Sequence, residues 1–467
     1  MRGTQTTWDL RRRTVWAGMG LALWLVMAGV ATAPASDCFR PEPLRVFTGA
    51  EAGPWERVEL LQDPHPAWGE ERIATGGAHP DALVNRWFGS DNPPSRQVLL
   101  HCARGFRGRT LPNPVLLVHG ANDNANRGWI DPWMKGNTDQ LPPAQRGFAQ
   151  HLSNLGYAVF AVTFAHRHGC NIRQAEQLAN AIARIRTLLG RQQDPTFKVD
   201  VIAHSKGAVA ARLYCSDAPS VFPDRPYLSR FRHDVRTLVF LAAPLLGIDM
   251  PFRFYGYNLT RVTQECLQAG APTAAREMLV YGRWQDYRRW SYDGQGNEFW
   301  PGQAQVLCNL VRDGGIPLGP DSATPADANL TCHALYHGGR SLYLSSSGID
   351  RAIDRGERLM YRLEDRGLEP DVDLLIVAGD QPVLDEEGFP EPLRTIVRMS
   401  GFFLAALSAP SDGMVFVKSA TATGGILRRG ARLLDMQVLP LHHVELARQG
   451  KVLQIVDRWL LRKGGRS

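Results

Sequence analysis

The chain has little that would tie it to a membrane or to nucleic acid. Over 467 residues only one uncharged apolar run, residues 14–33, is long enough to cross a bilayer, which excludes a polytopic membrane protein. Basic residues outnumber acidic ones by only 53 to 46, and they form no block of the length a nucleic-acid footprint needs. Nucleic acid is therefore excluded as a partner class. No dinucleotide fingerprint, phosphate loop or internal repeat is present, and the 45 glycines and 31 prolines follow no collagen-like period. What remains is ordinary globular material, 44% hydrophobic and 21% charged, which argues against disorder.

The apolar run has an export pattern. Arg11, Arg12 and Arg13 precede it, and Ala33-Pro34-Ala35 offers small residues for cleavage. The alternative is an uncleaved anchor, because 20 residues just span a bilayer. Cleavage is preferred because the run ends in small residues and not in charged flanks. Residues 1–35 are thus expected to be a signal peptide and the mature chain secreted or periplasmic. Their loss removes Arg2, Arg11, Arg12, Arg13 and Asp9, and lowers the net charge from +7 to +4. All seven cysteines lie in the mature chain, so in an oxidising compartment at least one has no intrachain partner. Cys215 is the candidate free thiol. Cys38–Cys102 and two of Cys266, Cys308 and Cys332 are candidate bridges.

From residue 113 strands alternate with helices. Apolar runs at 114–118, 157–164, 197–203, 236–243, 373–378 and 431–439 read as strands. Residues 145–155, 171–189, 206–215 and 452–461 read as helices. In the second of these, Leu178, Ile182, Ile185 and Leu189 share a face. The class is α/β, with a mainly parallel sheet covered on both faces. Residues 36–112 read as a proline-rich extension packing on this core, with an edge-strand candidate at 97–102.

The strongest chemical signal is Ala203-His204-Ser205-Lys206-Gly207, set between a strand and a helix. Small residues two before and two after the serine allow a turn so tight that strand and helix backbones nearly touch. Ser205 then projects at the positive end of a helix, as a nucleophile would. His204 is read as packing. Upstream, a strand ends in His119-Gly120-Ala121. The N–H groups of Ala121 and Lys206 are the candidate donors to an oxyanion.

A serine needs a base, and the base an orienting acid, in the order Ser, acid, His. His443 is the candidate base, with His442 as fallback, because both follow the last strand. Two acids compete. Asp412 sits in Ser411-Asp412-Gly413-Met414-Val415 and is preferred. Asp380 directly ends a strand. Together these motifs resemble the α/β-hydrolase superfamily, and within it secreted bacterial triacylglycerol lipases and esterases. The resemblance covers about 113–250 and 373–461. It implies a Ser-His-Asp triad, an acyl-enzyme and no cofactor or metal, and it favours Asp412. Lys206 departs from the apolar or glutamine residue common at that position.

Residues from about 251 to 370 interrupt the alternation and read as a cap within a 113–467 catalytic domain. Between Phe252 and Trp300 they hold eleven aromatics in 49 residues, about 22% against 9% overall, so the enrichment is local. Tyr281, Trp284, Tyr287 and Trp290 share a helical stripe that either covers an acyl chain or a lipid interface, or forms a small core of its own. Trp129 and Trp133, with Trp284 and Tyr287, are the candidate substrate contacts. His166, His168 and Cys170 lack a fourth zinc ligand and read as a polar loop. The expected partner is a small-molecule or lipid ester. Two other readings stand beside the lipase one: an acyltransferase or polyester depolymerase with the same triad, and a hydrolase-like binding protein without catalysis. Oligomeric state is not legible.

Overall fold

A computed structural model describes residues 42–63, 65, 79, 81–130, 147–253, 301–318, 333, 336–340, 345–346, 348–382 and 409–461. Nine strands form one sheet: β1 (Arg45–Thr48), β2 (Arg57–Gln62), β3 (Gln97–Cys102), β4 (Val115–Val118), β5 (Val159–Phe164), β6 (Val199–His204), β7 (Val235–Leu241), β8 (Asp373–Gly379) and β9 (Arg432–Leu439). Their spatial order is β1-β2-β3-β5-β4-β6-β7-β8-β9. From β5 to β9 every neighbouring pair is parallel. The first three strands join antiparallel. This is the mixed sheet of an α/β-hydrolase fold.

The central strands are apolar on both sides because both faces are covered. Alternation sorts β4 cleanly: Leu116 and Val118 enter one core cluster, Val115 and Leu117 the other. The first cluster takes the apolar stripes of α3 (Asn171–Leu188) and α4 (Lys206–Cys215), through Leu178, Ile182, Ile185, Val209 and Leu213. The second takes α1 (Ala82–Phe88), α2 (Phe148–Asn154) and α6 (Gly450–Leu460), through Trp87, Phe148, Leu152, Val452 and Val456. Leu155, at the end of the segment read as a helix over 145–155, follows α2 and is exposed. Leu359, Met360 and Leu363 of α5 (Leu359–Arg366) also pack in the first cluster.

Residues 97–102 form a strand as expected, but an interior one, third in the sheet and buried throughout. Two strands unmarked by the sequence reading lie outside it. Their attachment is partly ionic. Glu59 of β2 is fully buried and accepts from Arg184 of α3 at 2.6 and 3.1 Å, and from Arg57 at 2.6 Å. The thiols of Cys102 and Cys308 are free and buried, and Cys38, the candidate partner of Cys102, lies outside the described residues. Cys266 and Cys332 lie outside the described residues, as does the signal segment. Cys215 is a buried free thiol. Among the described residues no helix is long and apolar enough to cross a membrane.

A buried pair stripped of one partner leaves an uncompensated charge. Glu59→Ala should therefore lower the unfolding free energy by about 3–5 kcal/mol, read from urea denaturation. A change below about 1 kcal/mol would show that Arg184 finds water or another acceptor instead.

Candidate active site

β4 and β6 lie side by side at the centre of the sheet, while β5 is reached on the other side of β4. The chain order thus reverses at this point, where open α/β sheets place their ligands. The carboxyl end of β6 runs into Ser205, whose φ is +51° and ψ −125°. Such a conformation costs a non-glycine residue roughly 1–3 kcal/mol and persists only where the surroundings impose it. Here they do. The Ser205 N–H donates to the Leu241 carbonyl at 2.9 Å, and its own carbonyl accepts from Ala208 at 3.0 Å as α4 begins.

Two glycines make the turn possible. A Cβ on Gly207 would stand 2.4 Å from the His119 carbonyl oxygen. A Cβ on Gly120 would stand 2.9 Å from His204 Nδ1 and 3.0 Å from Ser205 Cβ. The loop after β4 and the turn after β6 are therefore in contact through main chain, and Ala121 and Lys206 follow directly on each. As the first residue of α4, Lys206 carries its N–H in the helical turn that lacks intrahelical acceptors. Its side chain is buried, and Nζ donates to Gln174 Oε1 at 2.5 Å.

His119 orders the first of these loops. Its Nε2 accepts from the Phe164 N–H at 3.2 Å, so Nδ1 carries the proton and donates to the Gly120 carbonyl at 2.7 Å. A peptide C=O and the following N–H point in opposite directions. Fixing the Gly120 carbonyl therefore fixes the direction of the Ala121 N–H. Burial holds His119 down to about 4, in its neutral form.

His443 follows β9, and its ring bridges the two other groups. Nε2 lies 2.9 Å from Ser205 Oγ, and Nδ1 lies 2.9 Å from Asp412 Oδ2. Asp412 is fully buried. Its second oxygen, Oδ1, accepts from the N–H groups of Met414 at 2.9 Å and Val415 at 2.7 Å. This turn leaves one carboxylate oxygen aimed at the imidazole. Of the residues that follow His443, Leu446 is fully buried and Val444 half-buried.

The two fallbacks are placed elsewhere. Asp380 is exposed, and its N–H pairs with the Leu439 carbonyl. His442 uses Nδ1 to accept from the Val444 N–H at 3.3 Å. Among the candidate substrate contacts, Trp129 is a correction. Its indole is buried edge-on against Phe148 in the second core cluster, because the short helix Ala125–Trp129 turns inward. Trp133, Trp284 and Tyr287 lie outside the described residues, as do Tyr281 and Trp290. His168 and Cys170 meet Gln303 and Gln305. Among the described residues no group of three or more His, Cys, Asp or Glu is placed to hold a metal ion.

Residues 112–253 match the family of class 2 lipases. The matched segment carries β4 to β7, His119-Gly120, Ser205 and Gly207. The match supports carboxylic ester hydrolysis as the chemistry of the chain. Similar solved structures include a lipase from Bacillus licheniformis (15% identity, 75% of this chain and 92% of that one, TM-score 0.33). Lipase 1 from Pelosinus fermentans is 13% identical over 76% of this chain and 100% of that one (TM-score 0.39). The Staphylococcus hyicus lipase is 12% identical over 75% and 96% (TM-score 0.38). Scores this low carry no argument about the site. Among curated proteins none matches.

Three histidines, His101, His119 and His204, are buried and held neutral. Burial is the largest cause lowering His101 to about 3, and His119 and His204 to about 4. Below the ordinary value of 6.5 the unfolded chain takes up protons that these rings in the folded chain refuse. Their contribution is thus fully present above that value and is lost as pH falls toward the folded ones. Stability should drop by about 1.4 kcal/mol per pH unit per histidine on acidification through this window. Urea midpoints taken between pH 7 and 4 check this, and a flat series would refute it.

Proposed function

We propose that this chain is an exported serine hydrolase that cleaves carboxylic esters of lipid-like substrates through an acyl-enzyme. One observation carries the reading: an unbroken hydrogen-bond line from Asp412 through His443 to Ser205, with both links at 2.9 Å. With Nδ1–H donated to Asp412, Nε2 is free of its proton and accepts from the serine hydroxyl. Ser205 Oγ then attacks the ester carbonyl as Nε2 takes up its proton. The carbonyl oxygen gains negative charge, and the N–H groups of Ala121 and Lys206 stabilise it. When the tetrahedral adduct collapses, the C–O bond to the alcohol breaks and His443 passes its proton to the leaving oxygen. Water, deprotonated by the same Nε2, attacks the acyl-enzyme, and Ser205 departs with the proton.

The lipid-like character of the substrate rests on the lipase-family match and on the aromatic enrichment of residues 252–300. That composition suits a cover over an acyl chain or contact with a lipid interface. Export rests on the arginine-led apolar run and its small-residue end.

A panel of p-nitrophenyl esters from short to long acyl chains, with emulsified triglyceride beside it, tests the function. Ser205→Ala should remove activity by at least about 10⁴-fold and abolish labelling by a fluorophosphonate. Asp412→Asn should lower kcat by about 10³–10⁴-fold with little change in KM, because it turns the ring to the wrong tautomer. Full activity in Ser205→Ala would sink the nucleophile. A folded wild-type chain that neither hydrolyses esters nor takes the label would sink the whole reading.

A further inference from the structure

The residue just before the nucleophile has a task that its position in the motif does not suggest. His204 is nearly buried, and its ring lies 4.9 Å from that of His443, centroid to centroid. Its Nε2 stands 2.9 Å from the main-chain carbonyl oxygen of His443. Its other nitrogen, Nδ1, occupies the space beside Gly120, where a Cβ would meet it at 2.9 Å. One imidazole is thus wedged between the loop that carries the base and the loop that carries the Ala121 donor. A carbonyl can only accept, so Nε2 must carry the proton.

This contact completes a clamp on the main chain of the base. The His443 N–H donates to the Asp412 carbonyl at 2.9 Å. The His443 C=O accepts from His204. Its two peptide groups are therefore tied to the loop of the acid and to the loop of the nucleophile, and the side chain spans the same two loops. The charged or titratable groups that act on His204 are His443, Asp123 and Asp412. Burial and His443 hold it neutral, which matters because His443 becomes cationic in each half-reaction and a second cation at this distance would oppose it.

We propose that His204 is a positioning residue for the hydrolysis: through its hydrogen bond to the His443 carbonyl and its seat beside Gly120 it fixes the spacing between the base and the oxyanion loop. The proposal rests on the serine-hydrolase reading above. It predicts a loss that falls on kcat and not on KM, since both contacts of His204 are with the loops of the base and of the oxyanion donor. Misplacement of a base by a fraction of an ångström is costly to rate while leaving ground-state binding intact.

The test compares wild type with His204→Leu, which keeps bulk and loses the donor, and with His204→Gln, whose amide nitrogen reaches the place of Nε2. Rates are expressed per serine labelled by a fluorophosphonate, so that any unfolded fraction drops out. His204→Leu should lose about tenfold to a hundredfold in kcat with KM within about twofold, and His204→Gln should recover most of it. If the leucine variant does not fold, His204→Asn takes its place, because its shorter amide stops near the Nδ1 position and should be as slow. Equal kcat per labelled site in all variants, or a loss confined to the labelled fraction or to KM, overturns the proposal while leaving the serine reading intact. Absence of label and activity in folded wild type would overturn both.

Discussion

Everything in the site depends on how closely two stretches of main chain pass one another. The loop after β4 and the turn after β6 meet at Gly120 and Gly207, where a single added carbon would sit 2.4 to 3.0 Å from atoms of the other segment. That approach sets the main chain beside Ala121 against the main chain beside Lys206. It also forces Ser205 into a backbone conformation that holds its hydroxyl out of the strand. The parallel pairing of β4 with β6 makes the approach possible, because both strands end at the same level. The sheet sets the distance, and the glycines remove what would prevent it.

The second constraint is electrical. Asp412, His119 and His204 are kept uncharged or held by main-chain partners. Asp412 is met by two N–H groups and one imidazole. His119 and His204 are neutral through burial, and each spends its ring protons on a carbonyl of a loop that matters. Few side chains touch the reacting line directly. Most of the order comes from peptide groups, which have little freedom to rearrange.

The parts of this arrangement that were legible in the sequence are those fixed by local chemistry. Apolar runs buried on both faces announced β4 to β8, a more polar run announced the edge strand β9, and the spacing of Leu178, Ile182 and Ile185 announced α3. Small residues around Ser205 announced a tight turn. The choice between Asp412 and Asp380 rested on the turn-forming sequence after Asp412, and the hydrogen bonds of Met414 and Val415 show the physical content of that signal. Features set by long-range packing were not legible. β1 and β2 alternate only weakly, so their place depends on the partner strand and on the buried Arg184. α1 did carry a readable mark, Asp81 capping its first turn and Gly89 ending it, although it is only seven residues long. Trp129 read as a pocket residue because sequence gives proximity to a loop and not the direction of the side chain. The task of His204 depends on a carbonyl 239 residues away.

The antiparallel trio at one end of the sheet has a consequence for the life of the polypeptide before it is folded. Strand β5 is six buried residues, Val159–Phe164, and β3 pairs along its outer edge. Without that partner the α/β core would end in an open, apolar row of peptide groups, the kind of border at which one chain recruits another into aggregates. β3 is made before β5, so the cover exists before the edge it protects. Beyond it, β2 continues the ladder and β1 ends it with a strand of only four residues, three of them exposed. At this end the sheet is brought to a close by a very short strand, which leaves little for a neighbouring molecule to extend.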